Sequence, residues 1–116
     1  MLTALGEQGP ADARVHALLI LCEHEVEVDR AAAQRRIDAA RALVGTVVRR
    51  GLQARLHNCE GELRLNAGDS SGALRLYEQA VLAAEQAGDR ENLAQSLYHR
   101  GYVRGLRGDY AIGLVD

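Results

Sequence analysis

Several residue types are missing or rare in this chain of 116 residues. It has no lysine, tryptophan or phenylalanine, and its aromatic residues are four tyrosines. A core therefore has to be built from leucine, valine, isoleucine and alanine. One proline against 12 glycines suits a series of helices joined by glycine turns.

Cysteines and long apolar runs are also scarce. Two cysteines, Cys22 and Cys59, do not make a disulfide framework, so we expect inert, partly buried thiols in a cytoplasmic protein. The longest apolar run, Ala17 to Cys22, is too short to span a membrane and too far from a basic segment to be a signal peptide. The formal net charge of −2 gives no global basic field for nucleic acid.

Glycine–aspartate pairs punctuate the second half of the chain at a regular interval. A glycine suits the left-handed residue that closes a helix, and an aspartate suits the N-cap of the next helix. The pairs are Gly68-Asp69, Gly88-Asp89 and Gly108-Asp109. A shift of forty residues also superimposes Ala54, Gly61, Arg64, Gly68, Asp69 and Leu74 on Ala94, Gly101, Arg104, Gly108, Asp109 and Leu114. Helix–turn–helix units at this spacing indicate an all-α solenoid.

The apolar periodicity predicts three helical hairpins in a single domain. Residues 1–9 form a lead-in, 10–50 a degenerate first hairpin, 51–88 a second hairpin and 89–116 a truncated third. The expected helices are about 11–27, 29–50, 52–66, 70–87, 90–107 and 109–116. Their predicted inward positions are Val15, Leu18, Leu19, Cys22, Val26, Ala33, Ile37, Ala40, Val44, Val47, Leu52, Leu56, Cys59, Leu63, Leu74, Tyr77, Ala80, Val81, Ala84, Leu93, Leu97, Gly101 and Leu106. In the first hairpin Leu21 takes the place of Gly61.

The second hairpin resembles the tetratricopeptide (TPR) consensus. The resemblance is carried by Gly61, Gly68-Asp69, Ala73-Leu74, Tyr77 and Ala80, and it begins again at Gly101 and Gly108-Asp109-Tyr110. It implies a right-handed solenoid in which the first helix of each hairpin lines a concave groove that binds a peptide or a helix. The groove positions it implies are Arg55, Asn58, Glu62, Asn66, Gln95, Tyr98, His99 and Tyr102. Tyr98 and Tyr102 could instead pack on the neighbouring hairpin.

The forty-residue period resembles the N-terminal TPR input regions of bacterial signalling proteins such as diguanylate cyclases. It implies a protein-interaction module, and we expect the chain to be a fragment of a longer protein. Because the sixth helix is short, an apolar face should stay open at the C-terminal end. We therefore expect a homodimer through Leu93, Leu97, Ile112 and Leu114. The rival interface is the first helix, Ala17 to Val26.

Three further features bear on other functions: an arginine-rich segment, two cysteine–histidine pairs and the motifs of enzymes. Residues 30–55 carry seven arginines against Asp38, and they follow an acidic first helix that can compensate them. The alternative is an anion or nucleic-acid patch at Arg35, Arg36, Arg41, Arg49 and Arg50, although no aromatic residue lies among them to stack on bases. The pairs Cys22-x-His24 and His57-x-Cys59 diverge on a helix, so we expect no metal. No nucleophile–histidine motif and no phosphate loop occurs, so we expect no enzyme and no cofactor.

Overall fold

The computed structural model describes residues 10–45 and 51–106, and within these ranges it contains five helices and no strand. They are α1 (Pro10–Glu25), α2 (Arg30–Val44), α3 (Gly51–Asn66), α4 (Ser70–Ala87) and α5 (Arg90–Leu106). The predicted all-α class is confirmed, and α1 begins at the proline as expected. The lead-in, the predicted end of α2 at 46–50 and the predicted sixth helix at 109–116 lie outside the described residues.

Aspartate caps begin three of the helices. The carboxylate oxygens of Asp29, Asp69 and Asp89 accept hydrogen bonds from the backbone N–H three residues later, at 3.1, 2.8 and 3.1 Å. Gly68 and Gly88 close the preceding helices in the left-handed region, with φ of 90° and 66°. Both predicted glycine–aspartate turns are confirmed, whereas Gly108-Asp109 lies outside the described residues.

The helices pack in a chain-like order. Each neighbouring pair along the sequence is in contact, and α1 and α5 each also contact α3. In the described part of the chain α2 does not touch α4, and α1 does not touch α5. As a result α1, α3 and α5 lie side by side, and α3 contacts all four other helices.

Two apolar clusters form the core. The larger joins α1, α2 and α3 through Val15, Leu19, Cys22, Val26, Ala33, Ile37, Ala40, Leu52, Leu56, Cys59 and Leu63. The smaller joins α4 and α5 through Ala73, Tyr77 and Val103, with Leu65 and Leu74 against it. Tyr77 and Ala80 are fully buried. The predicted inward faces of α1 to α4 are therefore confirmed within the described residues.

The predicted inward face of α5 is wrong at three of its four positions. Leu97, Gly101 and Leu106 are exposed, while Ser96 and Val103 are the buried residues of this helix. Ser96 can lie inside because its hydroxyl bonds to Asn58 on α3 and to a backbone carbonyl of its own helix. The apolar pattern alone did not reveal that a satisfied polar residue occupies this contact.

Gly61 and Gly101 have different surroundings. A Cβ atom at Gly61 would lie 2.5 Å from Cε1 of the buried Tyr77 ring, so the absence of a side chain lets α4 approach α3. At Gly101 no described atom lies within 4 Å of the same position. The predicted close contact is thus present at Gly61 and not seen at Gly101.

Cys22 and Cys59 form a disulfide between α1 and α3. Their Cα atoms are 6.6 Å apart, and the bond links residues separated by 37 positions. Both residues are fully buried. The expectation of partly buried, free thiols is wrong, because the packing of α1 against α3 brings the two side chains together. None of the described helices combines the length and apolar character that crossing a membrane requires.

Candidate functional site

Two adjoining depressions lie along the surface formed by α1, α3 and α5. We call the larger, of about 620 Å³, the polar groove; it is lined by His16, Glu23, Arg55, Asn58, Cys59, Glu62, Asp89, Glu91, Asn92, Gln95 and His99. We call the smaller, of about 240 Å³, the tyrosine cleft; it is lined by Glu27, Glu62, Leu65, Asn66, Tyr77, Tyr98, His99 and Tyr102. Glu62 and His99 belong to both, so the depressions are continuous.

All eight groove residues named from the sequence line one of these depressions. The polar groove contains Arg55, Asn58, Glu62, Gln95 and His99. The tyrosine cleft contains Glu62 and His99 again, together with Asn66, Tyr98 and Tyr102. Tyr98 and Tyr102 are 70% and 52% exposed, so their rings are not buried against a neighbouring helix of the described chain.

The contribution of α1 to this surface was missed. His16, Glu23 and Glu27 on and after α1 line the depressions, and none was named from the sequence. The forty-residue shift pointed instead to positions that are mostly buried. A shift of 39 residues pairs His16 with Arg55 and Glu23 with Glu62. This alignment would have identified the α1 residues of the groove from the sequence.

Arg55 joins two of the three helices that form the polar groove. Its Nε and Nη2 atoms donate to the two carboxylate oxygens of Glu23 at 2.6 and 2.7 Å. Its Nη1 atom lies 3.4 Å from Nδ1 of His16. The hydrogen bonds that Arg55 donates to Glu23 raise the pKa of Arg55. A two-point pair of this kind fixes the guanidinium and leaves it neutralised by its partner.

Asn58 carries an amide end that has no protein partner. The side chain is buried, with 4% exposure, and its Oδ1 atom lies 3.1 Å from the Ser96 hydroxyl. Its Nδ2 atom is buried and has no hydrogen-bond partner among the described residues. Ser96 has one hydroxyl proton and also bonds to the Asn92 carbonyl at 2.7 Å, so a turned amide would leave Oδ1 unpaired instead. In either orientation one polar end of Asn58 has no partner among the described residues.

Tyr77, His99 and Glu62 connect the two depressions. The His99 ring stacks on Tyr77, with centroids 4.9 Å apart, and its Nε2 atom lies 3.7 Å from a Glu62 oxygen. The Tyr98 ring packs edge-on against the same imidazole, with the ring centroids 5.6 Å apart. Gly61 makes this arrangement possible because it lets the Tyr77 ring lie against α3. The buried Tyr77 hydroxyl has no hydrogen-bond partner within the described ranges.

Burial alters the protonation of these groups. It lowers the pKa of His99, which favours the neutral imidazole at pH 7. Burial raises the pKa of the Glu62 carboxyl, and the negative charges of Glu23 and Glu27 raise it further. Burial also raises the pKa of the Tyr77 hydroxyl, which therefore stays protonated at neutral pH. The result is a Glu62 carboxyl of raised pKa beside an imidazole that favours its neutral form and a neutral phenol.

The two depressions are strongly acidic for so small a surface. Five carboxylates line them, those of Glu23, Glu27, Glu62, Asp89 and Glu91. Among the described arginines, only Arg55 lines either one. With neutral histidines the formal charge is −4, from five negative groups and one positive group. This balance favours a partner that brings positive charge.

Two arginines of α2, Arg36 and Arg41, contact acidic residues of neighbouring helices. Arg36 pairs with Glu25 at 2.9 Å, and Arg41 forms an ion pair with Glu60 of α3. Arg35 is exposed, and Arg49 and Arg50 lie outside the described residues. The interpretation that charges compensate each other is therefore the one that these contacts favour.

The residues predicted to form a dimer interface are only partly described. Leu93 is half-buried and Leu97 is 41% exposed, while Ile112 and Leu114 lie outside the described residues. On α1, the rival interface, Ile20 and Leu21 are exposed. No family model, curated protein or solved structure matches this chain.

Proposed function

We propose that this chain is a TPR-like solenoid that binds an extended segment of another protein along the surface formed by α1, α3 and α5. The observation that carries the proposal is Asn58, which lines the polar groove and whose buried amide has one polar end without a partner among the described residues. A peptide backbone offers both donors and acceptors, so it can pair with that end in either amide orientation.

The helix contacts support the solenoid part of the proposal. Contacts within the described ranges join only helices that are one or two apart along the chain, as stacked hairpins require. The alternate helices α1, α3 and α5 then line one surface, where first helices of TPR hairpins would lie. The exposed rings of Tyr98 and Tyr102 add contact area, since tyrosine is enriched at protein interfaces.

We also propose a biological setting for this module. The forty-residue period supports an input or oligomerisation module of a bacterial signalling protein of the diguanylate cyclase type. A homodimer through Leu93 and Leu97 is part of that proposal. The disulfide counts against the cytoplasmic location expected from free thiols, because disulfides persist mainly in oxidising compartments.

Selection from a random peptide library displayed on phage tests the binding function. We expect the full chain to enrich a set of peptides. The variant Tyr98→Ala/Tyr102→Ala should bind these peptides at least about tenfold more weakly. Leu82→Ala removes a side chain of 59% exposure on α4, outside both depressions, and is the matched control. Failure to enrich any peptide, or equal binding by all three proteins, would overturn the proposal.

A further inference from the structure

The tyrosine cleft combines aromatic rings, carboxylates and a buried hydroxyl acceptor. The exposed rings of Tyr98 and Tyr102 lie four residues apart on α5, so they share one side of the helix. Glu27 and Glu62 line the same cleft. Tyr77, fully buried, lines it too, and its hydroxyl has no partner among the described residues. Carboxylates next to aromatic faces form the kind of site that binds organic cations.

Glu62 has no permanent positive charge as a partner in the described structure. Its ion-pair contact is with His99, whose pKa is lowered by burial. The nearby guanidinium of Arg55 is held by both oxygens of Glu23. Removing a carboxylate from water is unfavourable unless a cation and hydrogen bonds replace the water. A cationic group from outside the chain would supply both.

The geometry points to the tyrosine cleft as the binding site for an arginine side chain of the bound peptide. A guanidinium carries five N–H donors in one plane, and the cleft offers it the carboxylates of Glu27 and Glu62 and the Tyr77 oxygen as acceptors. Its flat face can stack on the rings of Tyr98 or Tyr102. This inference rests on the proposed function, since the rest of the peptide would lie along the polar groove.

Titration with small analogues separates this inference from peptide binding in general. The isotope-labelled full chain is titrated with N-acetyl-arginine amide and with N-acetyl-citrulline amide, its uncharged isostere, and backbone amide shifts are recorded by NMR. We expect arginine amide to shift signals of Glu62, Tyr98 and Tyr102 and to bind at least about tenfold more tightly than citrulline amide. Equal affinities of the two amides would overturn the inference.

Charge-neutral variants locate the site. Glu62→Gln and Glu27→Gln keep the side-chain shape and should each weaken arginine amide binding by about fivefold or more. Glu85→Gln removes an exposed carboxylate of α4 outside both depressions and should leave it unchanged. Equal effects of all three variants would refute the cleft as the site. Selected peptides that lack arginine but still need the groove for binding would refute this inference and leave the proposed function standing. A library selection that enriches no peptide would refute the proposed function.

Discussion

Reducing the Cys22–Cys59 disulfide should lower the free energy of unfolding by about 4 kcal/mol. The bond closes a loop across 37 residues, and the loop-entropy relation gives about this value at 25 °C for that separation. A chain of this length has a total stability of roughly 6–17 kcal/mol. The reduced protein should therefore still fold at 25 °C, with its margin greatly diminished.

Urea unfolding followed by circular dichroism at about 222 nm measures this change, since the chain has no tryptophan to report by fluorescence. For a slope of about 1.5–2 kcal/mol per molar urea, the midpoint should fall by roughly 2–3 M when a phosphine reductant is added. The double variant Cys22→Ala/Cys59→Ala should resemble the reduced protein and should not respond to the reductant. A thiol titration of the unfolded, oxidised protein should find no free thiol.

Two results would refute the reasoning. Oxidised and reduced protein with the same urea midpoint would show that the bond does not constrain the unfolded chain. Two titratable thiols in the protein purified without reductant would show that the pair does not form. A smaller shift with an intact bond would mean residual structure in the unfolded state, which the entropy relation neglects.

Three further predictions concern packing, capping and protonation. Gly61→Ala should destabilise the fold by about 1–3 kcal/mol because its Cβ would meet the buried Tyr77 ring. Gly101→Ala should stabilise the fold by up to about 1 kcal/mol, since alanine has the higher helix propensity and the site is open. Thermal unfolding of both variants checks this, and equal shifts of the two melting temperatures would contradict it. Asp69→Ala should cost about 1 kcal/mol in urea unfolding because the backbone N–H of Gly72 loses its acceptor, and an unchanged midpoint would contradict it. Burial lowers the pKa of His57 and of His99 in the folded state, so the unfolded state binds more protons at acidic pH. The free energy of unfolding should therefore fall as the pH drops below about 6.5. Urea unfolding at about pH 7.5 and pH 5.5 measures this change, and equal free energies at the two pH values would count against it.

The turns and most apolar faces could be predicted because their causes are local. The cap at Asp69 needs only the residue and the backbone that follows it. The left-handed turn at Gly68 needs only the absence of a side chain. The spacing of Ile37 and its neighbours on α2 gives the buried face without any knowledge of the partner helix.

The register of α1 was misjudged because the connections differ in length. Four residues separate α1 from α2, but three separate α3 from α4. Because of this extra residue, a shift of 39 residues superimposes α1 on α3, whereas a shift of forty superimposes α2 on α4. Cys22, rather than the exposed Leu21, therefore corresponds to Gly61. The same error hid Glu23 from the candidate groove.

Helix α3 unites core and candidate site, and this decides which variants are informative. It carries the disulfide through Cys59, the close contact at Gly61 and the groove residues Arg55 and Asn58, and it contacts every other described helix. A change at a buried residue of α3 that abolishes binding is therefore ambiguous, since the same change weakens packing. Tyr98 on α5 is largely exposed and, of the two depressions, lines only the tyrosine cleft, so its removal leaves the core intact. Loss of binding there, at unchanged stability, would assign a function to the surface rather than to the fold.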